Sequence, residues 1–220
     1  MINETDAKGK WFQERHGKFT ASMIHKIIPN AGTSMFTPAG WTYIQDRAIE
    51  TMTFMYEAPE LEFVEALIHG KAYEENAYYE YLRVSKNYSM KHFGGENPVF
   101  LDYNEYSGGS PDGLMGEGTS VNWLLEIKCP KNSKNHFKYM GIKSQWDLKE
   151  LRPEYYAQIQ FLLMITKAEG AHFASYDERF RDETKRLKIV DVLPDKKFAD
   201  ALDVKLKTAQ KEKLKIMASF

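Results

Sequence analysis

Two carboxylates and a lysine form the residue group best suited to chemistry in this 220-residue chain. Asp112 lies in a Ser-Pro-Asp-Gly turn, and Glu126 and Lys128 lie in the otherwise largely apolar stretch 123–129. Side chains alternate between the two faces of a β-strand, so Glu126 and Lys128 would share one face and Cys129 would point to the other. A hairpin from the turn into this strand would bring Asp112 beside Glu126.

The chemistry predicted for this group is metal-assisted hydrolysis of a phosphodiester. Two adjacent carboxylates repel each other unless a cation joins them, and hard oxygen ligands suit Mg²⁺, with Mn²⁺ as a substitute. Such a metal lowers the pKa of a bound water and stabilises charge on a phosphate, and Lys128 could hold either group. The alternative is structural, because Glu126 and Lys128 could form an ion pair at a sheet edge.

The elements that must position these residues follow from hydrophobic spacing and turn residues. Apolar residues at helical spacing predict helices, and short alternating runs between Gly and Pro predict strands. The predicted helices begin at Thr20 or Ser22 and at Pro38, and then cover about 62–84, 153–167 and 195–217. The predicted strands lie within 88–106 and at 121–129, 171–176 and 185–193. This order predicts an α/β (α+β) fold with a central mixed β-sheet flanked by helices.

Composition excludes several classes of protein. The chain is 43% hydrophobic and 28% charged, which is typical of a single globular domain and excludes collagen-like, low-complexity and disordered chains. One cysteine excludes an intramolecular disulfide framework, and the six histidines have no zinc-binding spacing. No apolar run approaches the roughly 18 residues of a membrane span, and residues 1–6 lack the features of a secretory signal. We therefore expect a cytoplasmic protein with no membrane partner.

Charge is balanced overall but unevenly distributed. The net charge of −1 argues against a generic basic nucleic-acid coat. Residues 57–80 contain seven Glu and one Lys, whereas residues 127–152 contain seven Lys or Arg and two acidic residues. Each block could be ordinary solvated surface. Because the basic block follows the candidate catalytic strand, three of its lysines are also candidates for contacts with a DNA backbone: Lys131, Lys134 and Lys138.

A thiol nucleophile is another hypothesis for the same strand. Cys129 and His136 could form a nucleophile–base pair. Strand alternation puts Cys129 on the face opposite the acidic pair, which favours packing in the core. We therefore assign no catalytic role to the thiol.

Several short blocks of the sequence occur in an order that is known from one family. The central blocks are Ser110-Pro111-Asp112-Gly113-Leu114, Leu125-Glu126-Ile127-Lys128-Cys129-Pro130 and Tyr156-Ala157-Gln158-Ile159-Gln160. The others are Trp11-x3-Arg15-x-Gly17-x2-Thr20-Ala21-Ser22, Gly70-Lys71-x-Tyr73-Glu74-x2-Ala77 and Tyr176-Asp177. Over residues 11 to about 190, this pattern resembles the lambda exonuclease family, also called YqaJ-type viral recombinase nucleases.

The resemblance implies a restriction-endonuclease-like core with the PD-(D/E)XK signature. It implies a Mg²⁺-dependent exonuclease that digests one strand of duplex DNA from the 5′ end. Asp112 and Glu126 would bind the metal, with the Ile127 carbonyl as an added ligand. Lys128 would activate or orient the attacking water, and Glu74 would lie near the metal site.

The resemblance also implies a pocket for the 5′-phosphate, formed by Arg15, Ser22, Ser110 and Gln158. Arg15 is a bidentate phosphate donor by its chemistry, and Ser22 lies where a helix is predicted to begin. Without the resemblance, Arg15 would be interpreted as a surface residue and Ser22 as a helix-capping residue. Tyr155 lies three residues before Gln158 and shares its helix face, so this pair could contact DNA or be a buried polar pair under the sheet.

The family further implies a place in phage or prophage recombination, within a bacterial host cell. The enzyme would be a homotrimeric ring around DNA ends that works with a single-strand annealing protein. It would degrade one strand processively to mononucleotides and leave a 3′ overhang. We expect residues 1–220 to form one such exonuclease domain, with a somewhat longer loop at 116–120 than in lambda exonuclease. The alternatives are an endonuclease of the same fold and a non-catalytic DNA-binding module.

Overall fold

Two β-sheets and seven α-helices make up the described part of the chain. The structure is a computed structural model, and it describes residues 7–28, 36–53, 65–95, 97–116 and 120–220. The helices are α1 (Ala7–Arg15), α2 (Pro38–Met52), α3 (Glu65–Ser85), α4 (Ser133–Met140), α5 (Gln145–Leu151), α6 (Pro153–Thr166) and α7 (Lys196–Ala218). Two 3-10 helices cover Ala21–Lys26 and Glu183–Lys185. No helix in these ranges is both long and apolar enough to cross a membrane.

The described strands form one sheet of three and one sheet of five. They are β1 (Phe19–Thr20), β2 (Lys91–His92), β3 (Leu101–Asn104), β4 (Ser107–Gly109), β5 (Gly113–Met115), β6 (Trp123–Lys128), β7 (Gly170–Tyr176) and β8 (Leu187–Val192). The strand order is β1-β4-β3 in the smaller sheet and β2-β5-β6-β7-β8 in the larger one. Strand β6 is antiparallel to β5 and parallel to β7, so the larger sheet is mixed, as predicted.

Strand β6 separates two hydrophobic clusters. Leu124 packs in the cluster that contains α6, whereas Leu125 and Ile127 pack in the cluster that contains residues of α3. Glu126 shares the face of Leu124 and contacts α6, whereas Cys129 lies in the α3 cluster. The division of faces predicted from strand alternation is therefore confirmed.

Helix α6 covers the Glu126 face of the sheet and is apolar nearly all round. It begins at Pro153, where the missing backbone N–H costs little. Its residues 156–163 are all buried, which is typical of a helix inside a core. Its two buried glutamines have partners, because Gln158 donates to Glu126 and Gln160 donates to the Leu193 carbonyl. The helix predicted from Pro153 to about residue 167 is thus confirmed.

The basic segment 127–152 contains two short helices that the sequence analysis does not predict. Helix α4 is capped by Asn132, whose side chain accepts from the Lys134 amide at 2.9 Å. Helix α5 begins with a reciprocal capping box between Ser144 and Asp147. The capping residues Asn132 and Ser144 are local signals for these helices that the sequence analysis does not use.

Two other predictions differ in detail from the structure. The helix expected from Thr20 or Ser22 is a 3-10 helix, because Thr20 belongs to β1 and makes no side-chain cap bond. Its hydroxyl lies 3.4 Å from the Tyr43 hydroxyl instead. The sequence analysis also predicts no helix at α1. The first residues of the helix predicted at 62–84, and residues 117–119 of the longer loop, lie outside the described residues.

Helix α7 packs along the core and holds the turn before β1. The Asp195 side chain accepts from the Phe198 amide at 3.0 Å, and Leu202, Leu206 and Ala209 are fully buried, as their helical spacing predicts. Near the end of the helix, buried Lys213 donates to the Gly17 carbonyl at 2.7 Å. Gly17 has a φ of +67°, a conformation that favours glycine. The contact fixes the backbone two residues after Arg15.

Lys213 gives the fold a specific dependence on pH. Burial, with a smaller contribution from Arg47, lowers the pKa of Lys213 to about 8. The unfolded chain keeps this proton up to the ordinary value of 10.5, so it binds more protons than the folded chain between these pH values. Stability relative to Lys213→Met should therefore rise from pH 8 to 10.5, by about 1 to 3 kcal/mol.

Urea unfolding of both proteins at several pH values measures this difference. In the Met variant the Gly17 carbonyl loses its donor, which changes the free energy of unfolding by an amount that does not depend on pH. The test is therefore how the difference in stability between the two proteins changes with pH. Parallel stability curves for the two proteins would contradict the assignment.

Candidate active site

Asp112 and Glu126 are brought together by the β5–β6 hairpin. Asp112 directly precedes β5, and the register pairs Gly113 with Leu125. The Asp112 Oδ2 atom accepts a hydrogen bond from the Ile127 amide at 2.6 Å. Glu126 is only 1% exposed. The turn and the strand thus hold two carboxylates at one point of the sheet.

Each of the two carboxylates disfavours ionisation of the other. Burial raises the pKa of Asp112 well above its ordinary value, and the neighbouring carboxylates of Glu126 and Glu74 raise it further. Burial also raises the pKa of Glu126, against the opposing effect of Lys128. Full ionisation of the pair therefore needs additional positive charge.

Glu126 has one oxygen with two donors and one oxygen with none. Its Oε1 atom accepts from Lys128 Nζ and, at 2.6 Å, from Gln158 Nε2. Its Oε2 atom is buried and has no hydrogen-bond partner among the described residues. A buried acceptor without a partner is costly and calls for an explanation. A cation bound at Oε2 would supply one.

The available donors fit a hard divalent cation. They are the carboxylates of Asp112 and Glu126 and the backbone carbonyl of Ile127, which follows Glu126 on the strand. Among the described residues, no three His, Cys, Asp or Glu side chains converge to hold a metal by themselves. Mg²⁺ usually binds one or two carboxylates and completes its shell with water and substrate phosphate, so the fit is to that type of site.

Lys128 is the cation nearest to the carboxylates. Burial disfavours its charge, but Glu126 and Asp112 outweigh this effect and raise the pKa of Lys128. Its Nζ atom also lies 5.1 Å from the centre of the Tyr155 ring. The ammonium group is thus held by a carboxylate and by the face of an aromatic ring.

Glu74 approaches the same region from α3. Its Oε1 atom lies 3.0 Å from Nε2 of His92, and the His92 ring stacks on Tyr78 with 4.7 Å between ring centres. A Cβ atom at Gly94 would collide with both Glu74 and His92, so the glycine leaves room for this contact. The sequence analysis gives His92 no role, and no local signal identifies it as the partner of Glu74.

An open cleft of about 1140 Å³ leads to the carboxylates. Asp112, Glu74 and Lys128 line it, together with Ser22, Gln158 and Tyr155 from the predicted site. Six basic side chains line this cleft: Lys71, Lys128, Lys131, Lys134, Arg152 and Arg179. Lys138, also a candidate contact, is exposed but lies outside the lining.

The two arginines of this cleft are absent from the sequence predictions. Arg179 forms two hydrogen bonds to the Asp177 carboxylate, and its NH1 group donates to the Lys131 carbonyl at 2.8 Å. Arg152 lies 4.2 Å from the centre of the Tyr155 ring. The Asp177–Arg179 spacing is a weak local signal for the first. Arg152 contacts Glu154 and Tyr155, which are close in sequence, but nothing in that spacing indicates that its side chain lines the cleft.

The predicted 5′-phosphate residues fall into two groups. Ser22 and Gln158 line the cleft. Ser110 instead accepts from the Trp11 indole at 2.7 Å, and the Arg15 guanidinium lies 4.1 Å from the Trp11 ring centre. Arg15 and Ser110 are therefore linked through Trp11, whereas Gln158 is bonded to Glu126.

The thiol has the properties of a core residue. Cys129 is buried in the α3 cluster, and burial raises its pKa to about 12. His136 is fully buried and lies 2.8 Å from both the Ser175 hydroxyl and the Lys185 carbonyl. The two residues therefore serve packing and helix anchoring.

Comparison with known proteins identifies a family and a fold. A sequence model of the YqaJ-like viral recombinase domain matches residues 10–169. No curated protein matches the chain. An alkaline exonuclease from Laribacter hongkongensis, LHK-Exo, is similar with a TM-score of 0.77 and 23% identity over 96% of this chain and 95% of that one. The same exonuclease in complex with dAMP gives 0.76 and 22%, over the same shares of both chains.

A phage-related exonuclease from Haemophilus somnus 129PT has a TM-score of 0.69 and 16% identity, over 95% of this chain and 99% of that one. At these identities the structural matches establish a common fold. The mixed α/β architecture predicted from the sequence is thereby confirmed.

Proposed function

The chain belongs to the YqaJ-like viral recombinase family, and on that premise we propose that it is a Mg²⁺-dependent 5′→3′ exonuclease of double-stranded DNA. It acts in phage or prophage recombination, releases mononucleotides and leaves a 3′ overhang. The observation that carries this proposal is the bare, buried Glu126 Oε2 atom, because Glu126 neighbours Asp112 and Asp112 lines a cleft with six basic side chains. The names of two similar structures support it: both are of one alkaline exonuclease, and the second is its complex with dAMP.

In this proposal, each residue of the carboxylate group has a separate task. Asp112, Glu126 Oε2 and the Ile127 carbonyl would hold the metal, which would supply an activated water and neutralise charge on the phosphate. Gln158 and Lys128 fix Oε1, so that Oε2 stays free for coordination. Lys128 orients the water and donates to the charge that develops on the phosphate. Glu74, held by His92, adds negative charge beside the metal.

The cleft cations bind the duplex backbone. Lys131, Lys134, Arg152 and Arg179 carry the charge, and Lys138 extends the contact beyond the cleft. Such contacts release counterions, so binding should weaken steeply as salt increases. Arg15, Ser22, Ser110 and Gln158 receive the 5′-phosphate. Tyr155, on the same helix as Gln158, contacts the DNA, and its ring faces the Lys128 ammonium group.

We extend the proposal to the assembly. Residues 1–220 form one exonuclease domain, and three copies form a ring around the DNA end in the cytoplasm of the bacterial host. A ring retains DNA by topology, so a chain with a net charge of −1 needs no strong electrostatic grip. The 3′ overhang passes to a single-strand annealing partner.

Three substrates test this function. We expect rapid Mg²⁺-dependent digestion of 5′-phosphorylated linear duplex, slower digestion of the same duplex with a 5′-hydroxyl, and no cutting of covalently closed circles. The Arg15→Ala variant should lose about 10- to 100-fold on phosphorylated ends and little on hydroxyl ends, because a charge-assisted hydrogen bond to phosphate is lost.

Lys10→Ala is the matched control, because Lys10 is exposed on the same helix and forms a surface ion pair with Glu14. It should behave like the parent enzyme on all three substrates. Rapid cutting of closed circles would favour an endonuclease, and binding without digestion would favour a non-catalytic module. Equal rates on 5′-phosphorylated and 5′-hydroxyl ends would reject the phosphate pocket but not the exonuclease function.

A further inference from the structure

Gly17 lies between two elements that carry residues of the predicted phosphate pocket. Helix α1 ends at Arg15, and β1 then leads into Ser22. Between them, the Lys18 amide donates to the Arg15 carbonyl at 3.1 Å and closes a tight turn. Gly17 has its positive φ inside this turn, where a Cβ atom would collide with the Thr51 hydroxyl. The direction of α1 relative to β1 is therefore set at Gly17.

Both polar backbone groups of Gly17 are bound by largely buried, charged side chains from other helices. Its amide donates to Glu50 Oε2 at 2.9 Å, and its carbonyl accepts from Lys213 Nζ at 2.7 Å. Glu50 belongs to α2 and Lys213 to α7. The backbone at this one residue is thus fixed from two sides by elements that are distant in sequence.

Lys213 is a costly residue for this position. It is only 5% exposed, and burial of an ammonium group is unfavourable unless its bonds compensate. Burial and Arg47 lower the pKa of Lys213, and Glu50 raises it by less. An apolar side chain of similar length would be buried at lower cost. What the lysine adds over such a residue is the hydrogen bond to the Gly17 carbonyl.

Helix α1 has a second attachment near its other end. The Trp11 indole donates to the Ser110 hydroxyl at 2.7 Å, and Ser110 directly follows β4. The Arg15 guanidinium lies 4.1 Å from the centre of the Trp11 ring. Arg15 therefore lies between the attachment at Trp11 and the attachment at Gly17. In a helix of nine residues, the second attachment helps to set where Arg15 lies relative to Ser110.

We propose that Lys213 and Glu50 are positioning residues for recognition of the 5′-phosphate, because they fix Gly17 and through it the place of Arg15. This role rests on the proposed exonuclease function and on the phosphate pocket within it. Charge-assisted hydrogen bonds to phosphate are short and directional, so a small displacement of the guanidinium weakens them. Lys213 and Glu50 act through the backbone rather than on the substrate.

Single-turnover digestion of 5′-phosphorylated and 5′-hydroxyl linear duplexes in Mg²⁺ tests the role of Lys213. Lys213→Met should lower the preference for the phosphorylated end about 5- to 10-fold, since a misplacement of about 1 Å can cost up to about a hundredfold. The rate on the hydroxyl end should change little. In an Arg15→Ala background, Lys213→Met should have no further effect on the preference, because both substitutions act on the same contact.

Two substitutions of Glu50 separate its hydrogen bond from its ion pair. Glu50 also pairs with Arg47 on the same helix, so its removal breaks that pair as well. Glu50→Gln removes the charge but keeps an oxygen that can accept from the Gly17 amide, whereas Glu50→Ala removes both. Glu50→Gln should keep most of the preference for phosphorylated ends, and Glu50→Ala should lose about as much of it as Lys213→Met.

Lys215→Met is the matched control. Lys215 is exposed on α7 and pairs with Glu212 at 2.7 Å, so its loss should change neither rate. The Glu50 pair gives an independent measurement on α2 that does not depend on how the Lys213 variant folds.

Two results with Lys213→Met would overturn its positioning role: an unchanged preference, or equal slowing of both kinds of end. Equal losses in Glu50→Gln and Glu50→Ala would overturn the role of the Glu50 hydrogen bond. If the parent enzyme showed no preference for phosphorylated ends, the positioning role would fail together with the phosphate pocket, while digestion of both ends would retain the exonuclease function. Absence of digestion on every linear substrate would instead reject that function.

Discussion

Replacing Asp112 with Asn is expected to slow Mg²⁺-dependent digestion of linear DNA at least about a thousandfold, because a metal contributes several kcal/mol of charge stabilisation. The amide oxygen of Asn can still accept from the Ile127 amide, so the hairpin keeps its hydrogen bond. The charge that the metal requires is lost. Without metal, the variant should be no less stable than the parent, since one of two competing carboxylates has been made neutral.

Glu126→Gln should give a loss of the same size for a related reason. Its Oε1 position keeps Gln158 and Lys128 as neighbours, whereas Oε2 is the buried atom without a partner. Calorimetry of Mg²⁺ binding without DNA provides a readout that is independent of activity, and both variants should lose the signal. Duplex binding measured in Ca²⁺ should change little.

Asp200→Asn is the matched control for these two substitutions. Asp200 is an exposed acid on α7 that pairs with Lys196 one turn away, so its loss should leave digestion and Mg²⁺ binding unchanged. Full activity of Asp112→Asn would mean that the metal assignment is wrong. Loss of duplex binding by both variants would point to a structural role for the carboxylate pair.

The strand at the centre of the site could be predicted well because its signals are local. Alternation along β6 requires no knowledge of other elements, and it correctly separates Glu126 and Lys128 from Cys129. Pro153 and Asp195 likewise mark the starts of α6 and α7 through chemistry that acts within a few residues.

The partners of the site residues could not be predicted, because they are set by tertiary packing. Gln158 contacts Glu126 across 32 residues, and Glu74 meets His92 across 18. Motif order indicates which residues share a site, but it does not indicate which oxygen of Glu126 remains bare. That detail depends on which oxygen of Glu126 accepts hydrogen bonds from both Lys128 and Gln158.

The acidic and basic blocks of the sequence are in contact in the structure. Glu65, from the acidic block, forms an ion pair with Lys131, from the basic block, although both side chains are largely exposed. Exposed pairs of this kind contribute little to stability. In the proposed function, a DNA phosphate would therefore displace Glu65 at small cost.

Replacing Lys128 with Met is expected to lower the single-turnover rate of strand digestion about a hundred- to a thousandfold at saturating DNA. This is the cost of removing one preorganised donor that is aimed at the charge developing on the phosphate. Lys128 is held by Glu126 Oε1 and lies 5.1 Å from the Tyr155 ring centre, so its ammonium group has a fixed position beside the carboxylates. Met keeps much of the apolar stem and removes only the charge and its donors.

Lys134→Met separates this role from DNA binding. Lys134 lines the same cleft but is exposed and lies at the start of α4. Its loss should weaken duplex binding and reduce the slope of log affinity against log salt by about one, while the rate at saturation stays unchanged. Lys128→Met should show the opposite pattern, with an unchanged salt slope. If Lys128→Met altered only the salt slope, Lys128 would be one more backbone contact, and water orientation would have to be assigned to another group.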